Sequence, residues 1–197
     1  MAHIRYAGPE AVLDALVDRY PILAPQKEDI RALYELIRQS FASGGKLLVC
    51  GNGGSGADSA HILGEFVKGF MSKRPLPAEL IEKIGQPWAE KLQMGLPAID
   101  LTANNALIGA VANDQDGQLP YAQQVMAYAK PGDVLLGIST SGNAENVARA
   151  MIVAHALGAK CVALTGRDGG KLRGLADILL NVDETETYKV QEKHLPL

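Results

Sequence analysis

The sequence predicts a three-layer α/β sandwich with a central parallel sheet, on three observations. Two apolar runs, 46–50 (KLLVC) and 134–138 (VLLGI), each pass directly into a polar turn, GNGGSG and STSGN. Each turn then opens onto a segment whose apolar residues recur at helical spacing. Further apolar runs at 98–102, 160–164 and 178–182 alternate with helical patterns. Strands that alternate with helices pair in parallel, because each helix carries the chain back across a sheet face.

Taken in order, residues 10–19 and 26–42 read as two opening helices, separated by Pro21 and Pro25. Gly44 and Gly45 end the second, and the strand at 46–50 runs into the first glycine turn. ADSAHILGEFVKGFM resumes the helical pattern. Residues 72–97 are the least regular stretch: PAELIEKI and WAEKLQ each suit a short helix, whereas SKRPLP and IGQP read as loop. The stretch is left open between a lid, a subunit contact and an elaborated connection, and Trp88 and Met94 within it are expected to serve packing. A strand follows at 98–102, while 105–112 is too short and alanine-rich to assign. A helix at 120–129, a turn at Lys130–Asp133, the strand at 134–138 and a helix at 144–157 come next. Gly158 stops that helix. The chain then reads as strand 160–164, the turn TGRDGG, a short helix near 170–176 and a last strand at 178–182.

With 197 residues, 47% of them hydrophobic, the chain is expected to form one domain over 1–197 with a sizeable core. The formal charge of −3 provides no global attraction to nucleic acid or an anionic membrane. Cys50 and Cys161 lie in apolar runs without metal-ligand spacing and read as two buried thiols. They suit a reducing, cytoplasmic setting. The opening MAHIRYAG lacks a secretory pattern, and no uncharged apolar run approaches about 20 residues, so no membrane partner is expected.

CGNGGSG at 50–56 lacks the GKS or GKT ending of a triphosphate loop, so no nucleotide cofactor is expected. Its glycines, Gly53 and Gly54 among them, let backbone amides face a ligand, and Asn52 and Ser55 add side-chain hydrogen bonds. In the second turn, Ser139, Thr140 and Ser141 offer hydroxyls before another helix start. Two such turns at the carboxyl ends of parallel strands form the crevice where this architecture holds an anionic ligand, here a phosphorylated sugar. The third turn, TGRDGG, leaves Arg167 open between a phosphate contact and a surface position.

His61 and Glu65 stand four residues apart on the helix after the first turn, hence on one face. Aldose–ketose isomerisation removes a proton beside a carbonyl and returns one to the neighbouring carbon through an enediol. A carboxylate near an apolar wall and a histidine suit that task, with Glu65 as base. Near the end, Gln191 and His194 share one side of a helical turn.

In CGNGGSGADSAHILGE (50–65), LTANNALIGAVAND (101–114), PGDVLLGISTSGN (131–143), LTGRDGGKL (164–172) and VQEKH (190–194), the chain resembles the sugar isomerase (SIS) domain family, and within it the phosphoheptose isomerases. The resemblance spans essentially the whole chain. It implies interconversion of sedoheptulose 7-phosphate and D-glycero-D-manno-heptose 7-phosphate. It puts Ser55, Ser139, Thr140 and Ser141 at phosphate-binding positions, Asn52 at the sugar edge and Glu65 at the base. His61, Glu65 and Gln191 match positions that hold zinc in some members. The resemblance also implies a homotetramer with sites near subunit contacts and gives the helical segment 1–43 a role in assembly.

Three departures stand out. Ala144 replaces a serine that supplies a phosphate hydroxyl in the family, and Asn104 occupies an acidic position near the sugar. The family pattern also puts its proton-donating, metal-binding histidine two positions past Leu197, so His194 does not inherit that role and continuation of the natural chain is expected. These departures leave room for an isomerase of another phosphosugar, or for a non-catalytic phosphosugar-binding protein.

Overall fold

The computed structural model of the chain describes residues 6–69, 71–85 and 87–197. Residues 1–5, where the expected 1–43 segment begins, lie outside the described residues, as do Phe70 and Gln86, the latter in the expected IGQP loop. Helix α1 (Pro9–Arg19) has Pro9 at its first position, where no amide hydrogen is needed. A 3₁₀ turn, Pro21–Gln26, leads into α2 (Lys27–Ala42), which carries Glu28 and Asp29 in its first turn. Strand β1 (Leu47–Gly51) is buried along its whole length and feeds α3 (Gly54–Val67). After α4 (Ala78–Ile84) come the short strand β2 (Ala98–Asp100), α5 (Asn105–Asp114) and α6 (Pro120–Tyr128). Strand β3 (Val134–Ser139), α7 (Glu145–Ala156), β4 (Lys160–Gly166), β5 (Ile178–Val182) and α8 (Thr187–His194) complete the order.

All strand pairs are parallel, in the order β2-β1-β3-β4-β5. Alternate side chains sort to the two faces. Leu47, Val49, Leu136 and Val162 pack with Leu13, Ile30 and Leu33 of α1 and α2, and with Ile62 and Phe66 of α3. Leu48, Cys50, Leu135 and Cys161 pack with Val125 of α6 and Val147 and Met151 of α7. This gives the expected three layers, and it explains why β1 and β3 read as unbroken apolar runs. Both thiols are buried, as expected. Among the described residues no helix is long and apolar enough to cross a membrane.

The structure departs from the sequence reading in four places. Residues 105–114 form a full helix, because the Asn104 side chain accepts the Leu107 amide at 3.0 Å and supplies the cap. β2 ends at Asp100 rather than at 102, because Asp100 Oδ1 draws in the Thr102 amide (2.9 Å) and hydroxyl (2.7 Å). The helix expected near 170–176 is a 3₁₀ turn at Gly170–Gly174. Trp88 and Met94 are exposed in this chain instead of packed.

The 72–97 stretch returns to the C-terminal end of α3. Arg74 donates to Phe66 O and Met94 O, both at 2.8 Å, and its own carbonyl accepts the Met94 amide at 2.7 Å. At 1.5 Å per residue, this anchor lies about 20 Å along α3 from the first glycine turn.

Helix α8 docks through Val190, which is fully buried, and His194, which is 2% exposed. His194 Nε2 donates to Thr165 O at 3.1 Å, so Nδ1 is the unprotonated nitrogen, and it is buried without a hydrogen-bond partner among the described residues. Burial lowers the His194 pKa from the ordinary 6.5, against a smaller opposing effect of the Thr165 carbonyl. The unfolded chain therefore takes up this proton first as pH falls. The stability contributed by neutral His194 is complete above about pH 6.5 and is lost below it, at no more than about 1.4 kcal/mol per pH unit. Thermal unfolding of the native chain should weaken more between about pH 7.5 and pH 5.5 than that of a His194→Gln variant. Equal slopes for the two proteins would contradict this assignment.

Candidate functional site

β1 and β3 are neighbours, with Gly51 opposite Ile138. Their following connections leave on opposite faces of the sheet, through α3 and α7, so a crevice opens between the two strand ends. The first turn reverses at Gly53, whose φ of 54° lies in the left-handed region that glycine adopts freely. Gly53 O accepts the amides of Gly56 (3.0 Å) and Ala57 (3.1 Å), while the amides of Gly54 and Ser55 lie at the helix opening without intrahelical acceptors. Ser55 is buried at 3% exposure, beneath the turn.

In the second turn, Ser139 is buried, while Thr140 and Ser141 are half-buried. Ser139 O accepts the Gly142 amide at 2.9 Å. Ser141 Oγ accepts the Asn143 amide at 3.2 Å, which leaves the Ser141 hydroxyl hydrogen to donate elsewhere. Ala144, the N-cap of α7, has no side-chain oxygen to offer the helix amides. The third glycine turn backs the second. Leu172 donates to Gly142 O at 3.0 Å, Lys171 to Asn143 Oδ1 at 3.2 Å and Gly166 to Thr140 O at 3.0 Å. A Cβ on Gly142 would collide with the Gly169 carbonyl. Arg167 is exposed, and its amide donates to Glu184 O at 2.8 Å.

A polar network joins the first turn to α7. Asn52 and Asn146 exchange two hydrogen bonds, each 2.9 Å. Asn146 Oδ1 also accepts the Val147 amide at 3.0 Å. The Tyr121 hydroxyl shares its hydrogen between Gly51 O (2.7 Å) and Asn52 Oδ1 (3.1 Å). Burial first, then the nearby Cys50 and Asp100, push the Tyr121 phenol up to about 12, so it remains a donor at neutral pH. Sequence reasoning missed Tyr121 and Asn146. They lie 69 and 94 residues from Asn52, and neither belongs to a glycine or serine turn.

Gly54, Asp58, His61 and Glu65 recur at helical spacing along one stripe of α3. Gln191 of α8 covers the start of that stripe, where its amide occupies the space a Cβ on Gly54 would need. Asp58 follows, with Oδ2 buried and unpartnered among the described residues. Its pKa is raised by burial, opposed in part by His61. His61 Nε2 and Glu65 Oε1 come next, 3.5 Å apart, with side chains 55% and 42% exposed. The apolar wall expected beside Glu65 is therefore not supplied among the described residues. Thr102 approaches Gly56, bringing the turn that carries Asn104 beside the first loop, but Asn104 Oδ1 is engaged in capping α5. His194 lies in the core.

Two other features lie apart from this crevice. His155, Cys161 and Asp177 bring three potential ligand atoms within 4.8 Å of one another near the opposite ends of β4 and β5. There Asp177 accepts Lys160 Nζ (2.8 Å), the Cys161 amide (2.8 Å) and the His155 ring (3.0 Å). Burial works to raise the Asp177 carboxyl, but these three partners outweigh it and hold the value down at about 2. Lys160 already neutralises the carboxylate, so the group reads as an ion-pair knot. A cavity of about 1120 Å³ lies against α1, α2 and Leu195–Leu197, with apolar walls that include Leu16, Ile37 and Phe41 and no residue of the two turns.

Residues 14–92 and 87–166 match the SIS domain family. The chain is 40% identical over 168 residues to a phosphoheptose isomerase of Burkholderia pseudomallei, a match that covers 85% of this chain and 76% of that protein. It is 42% identical over 168 residues to a probable phosphoheptose isomerase of Thermoplasma acidophilum, covering 85% and 82%. Among solved structures, it resembles the phosphoheptose isomerase GmhA of Neisseria gonorrhoeae with a TM-score of 0.74 and 33% identity, over 94% of this chain and 90% of that one. The α/β sandwich, its paired turns and these matches together establish that the chain belongs to the SIS-domain family and is a homologue of the phosphoheptose isomerases.

Proposed function

We propose that the chain isomerises sedoheptulose 7-phosphate to D-glycero-D-manno-heptose 7-phosphate. The observation that carries this reading is the meeting of two amide- and hydroxyl-lined turns at one switch point, beside the α3 stripe that bears His61 and Glu65. The phosphate would take the amides of Gly54 and Ser55 and the hydroxyls of Thr140 and Ser141, with Ser55 and Ser139 shaping the floor. Neutral donors at helix openings suit a dianion without a lysine or arginine.

Glu65 would take the C1 proton of the ketose, while the hydroxyl proton on O1 passes to O2, the carbonyl oxygen of C2, through the enediol. Return of the proton to C2 leaves a C1 aldehyde. No electrons leave the sugar, so no redox cofactor is needed. Gln191, and Asn104 through the amide hydrogens that its capping oxygen leaves free, would hold sugar hydroxyls.

The His61–Glu65 geometry also fits a metal. Two vertices of a tetrahedral zinc site with ligand distances of about 2.1 Å lie about 3.4 Å apart, and these donor atoms are separated by 3.5 Å. Gln191 covers the stripe at Gly54, about 10 Å of helix rise from His61, so it would have to extend toward the pair to serve as a third donor. Zinc bound there would order the stripe and polarise a sugar oxygen. The apolar cavity against α1 and α2 supports the use of 1–43 in a homotetramer, and a neighbouring copy would supply the wall that Glu65 lacks.

Glu65→Gln should lower kcat for sedoheptulose 7-phosphate by at least about a hundredfold with little change in phosphosugar affinity, measured by turnover assay and calorimetry in parallel. Unchanged turnover would remove Glu65 as base. Metal analysis of the purified chain should find zinc that a chelator removes and that His61→Ala fails to retain. A metal-free chain whose activity survives chelation would overturn the zinc assignment.

A further inference from the structure

The Asn52–Asn146 bond joins two pieces of chain that neither the sheet ladder nor a helix holds together. Asn52 follows β1 in the first turn, and Asn146 sits in the first turn of α7, just after the serine turn. Two reciprocal amide bonds fix orientation as well as distance, whereas one bond would leave a hinge. Each partner is itself held. Asn146 Oδ1 takes the Val147 amide, which pins its rotamer, and the buried Tyr121 on α6 braces Asn52 from below. These contacts fill the Asn52 oxygen and one of its two amide hydrogens, leaving a single N–H for a ligand.

We propose that Asn146 and Tyr121 are positioning residues of the phosphosugar site, acting through Asn52 to hold the glycine turn and the serine turn at the separation that lets both donate to one phosphate. This inference rests on the phosphosugar reading given above. The chemistry of the clasp suits that role. Hydrogen bonds to phosphate are effective over only a few tenths of an ångström, so a drift of either turn costs donors. An amide pair braces the turns without a formal charge, whereas a carboxylate at either position would repel the dianion it serves. A hydroxyl on Ala144 is absent, so the second turn depends more heavily on its placement against the first.

The test is a double-mutant cycle read by calorimetry with inorganic phosphate and with sedoheptulose 7-phosphate. Asn146→Ala should weaken binding about tenfold, Asn52→Ala at least as much because it also removes the ligand-facing N–H, and the double variant should be no more than about twofold worse than Asn52→Ala, because both break the same clasp. Tyr121→Phe, which keeps the ring and loses only the hydroxyl, should weaken binding about threefold. In turnover, Asn146→Ala should raise KM by a larger factor than it lowers kcat, a split that a purely structural role would not produce. Unchanged affinities, or single effects that multiply to about a hundredfold in the double variant, would overturn the clasp and leave the phosphosugar site standing. Failure of the native chain to bind either probe would overturn the site itself, and the clasp with it.

Discussion

β1 lies beside β3, although β2 separates them in sequence, and the geometry of the candidate site follows from that pairing. The two strands are held at both ends. At their starts, buried Asp133 accepts the amides of Lys46 (2.9 Å) and Lys130 (2.7 Å) and the Lys46 ammonium (2.5 Å). A carboxylate left without such partners costs several kcal/mol, so these contacts strongly favour the observed register. At their far ends the Asn52–Asn146 pair and Tyr121 bridge the turns. Between these ends, five consecutive residue pairs from Leu47↔Val134 to Gly51↔Ile138 carry the ladder. Because the chain leaves β1 and β3 on opposite faces, two helix openings meet over one crevice.

The division of labour follows from where charge is absent. The two turns offer amides and hydroxyls, while two cations near the second turn pair with carboxylates: Arg149 with Asp116 at 2.6 Å and Lys171 with Glu145 at 2.9 Å. An anion held in this crevice as proposed would depend on the placement of neutral dipoles, which would make rigidity of the turns more important than net charge. On the other side of the crevice, the α3 stripe passes from Gly54 under Gln191 through partly buried Asp58 to exposed His61 and Glu65. The stripe is thus covered at its Gly54 end and open at its Glu65 end, where a ligand or a second copy has room.

Much of the fold could be read from sequence because its signals are local. KLLVC and VLLGI are apolar throughout and bounded by turns, as strands buried on both faces must be. The α5 helix was not legible, since its alanines and glycine give weak periodicity and its stability depends on a cap from Asn104. The two turns and the His61–Glu65 pair were legible from their order along the chain. Tyr121 and Asn146 were not, because their contacts depend on α6 and α7 sharing a face, which only tertiary packing decides. His194 shares a side of the helical turn with Gln191, as its spacing indicates, but only tertiary packing decides that this histidine enters the core.

The central claim is that one phosphate sits between both turns, with the sugar carbons extending along α3 toward Glu65. A crystal structure of the chain with sedoheptulose 7-phosphate tests it most directly. Phosphate oxygens are expected within about 3 Å of the Gly54 or Ser55 amide and of the Thr140 or Ser141 hydroxyl, with Glu65 facing C1 and C2. A phosphate seated away from either turn, or a sugar directed away from α3, would contradict it.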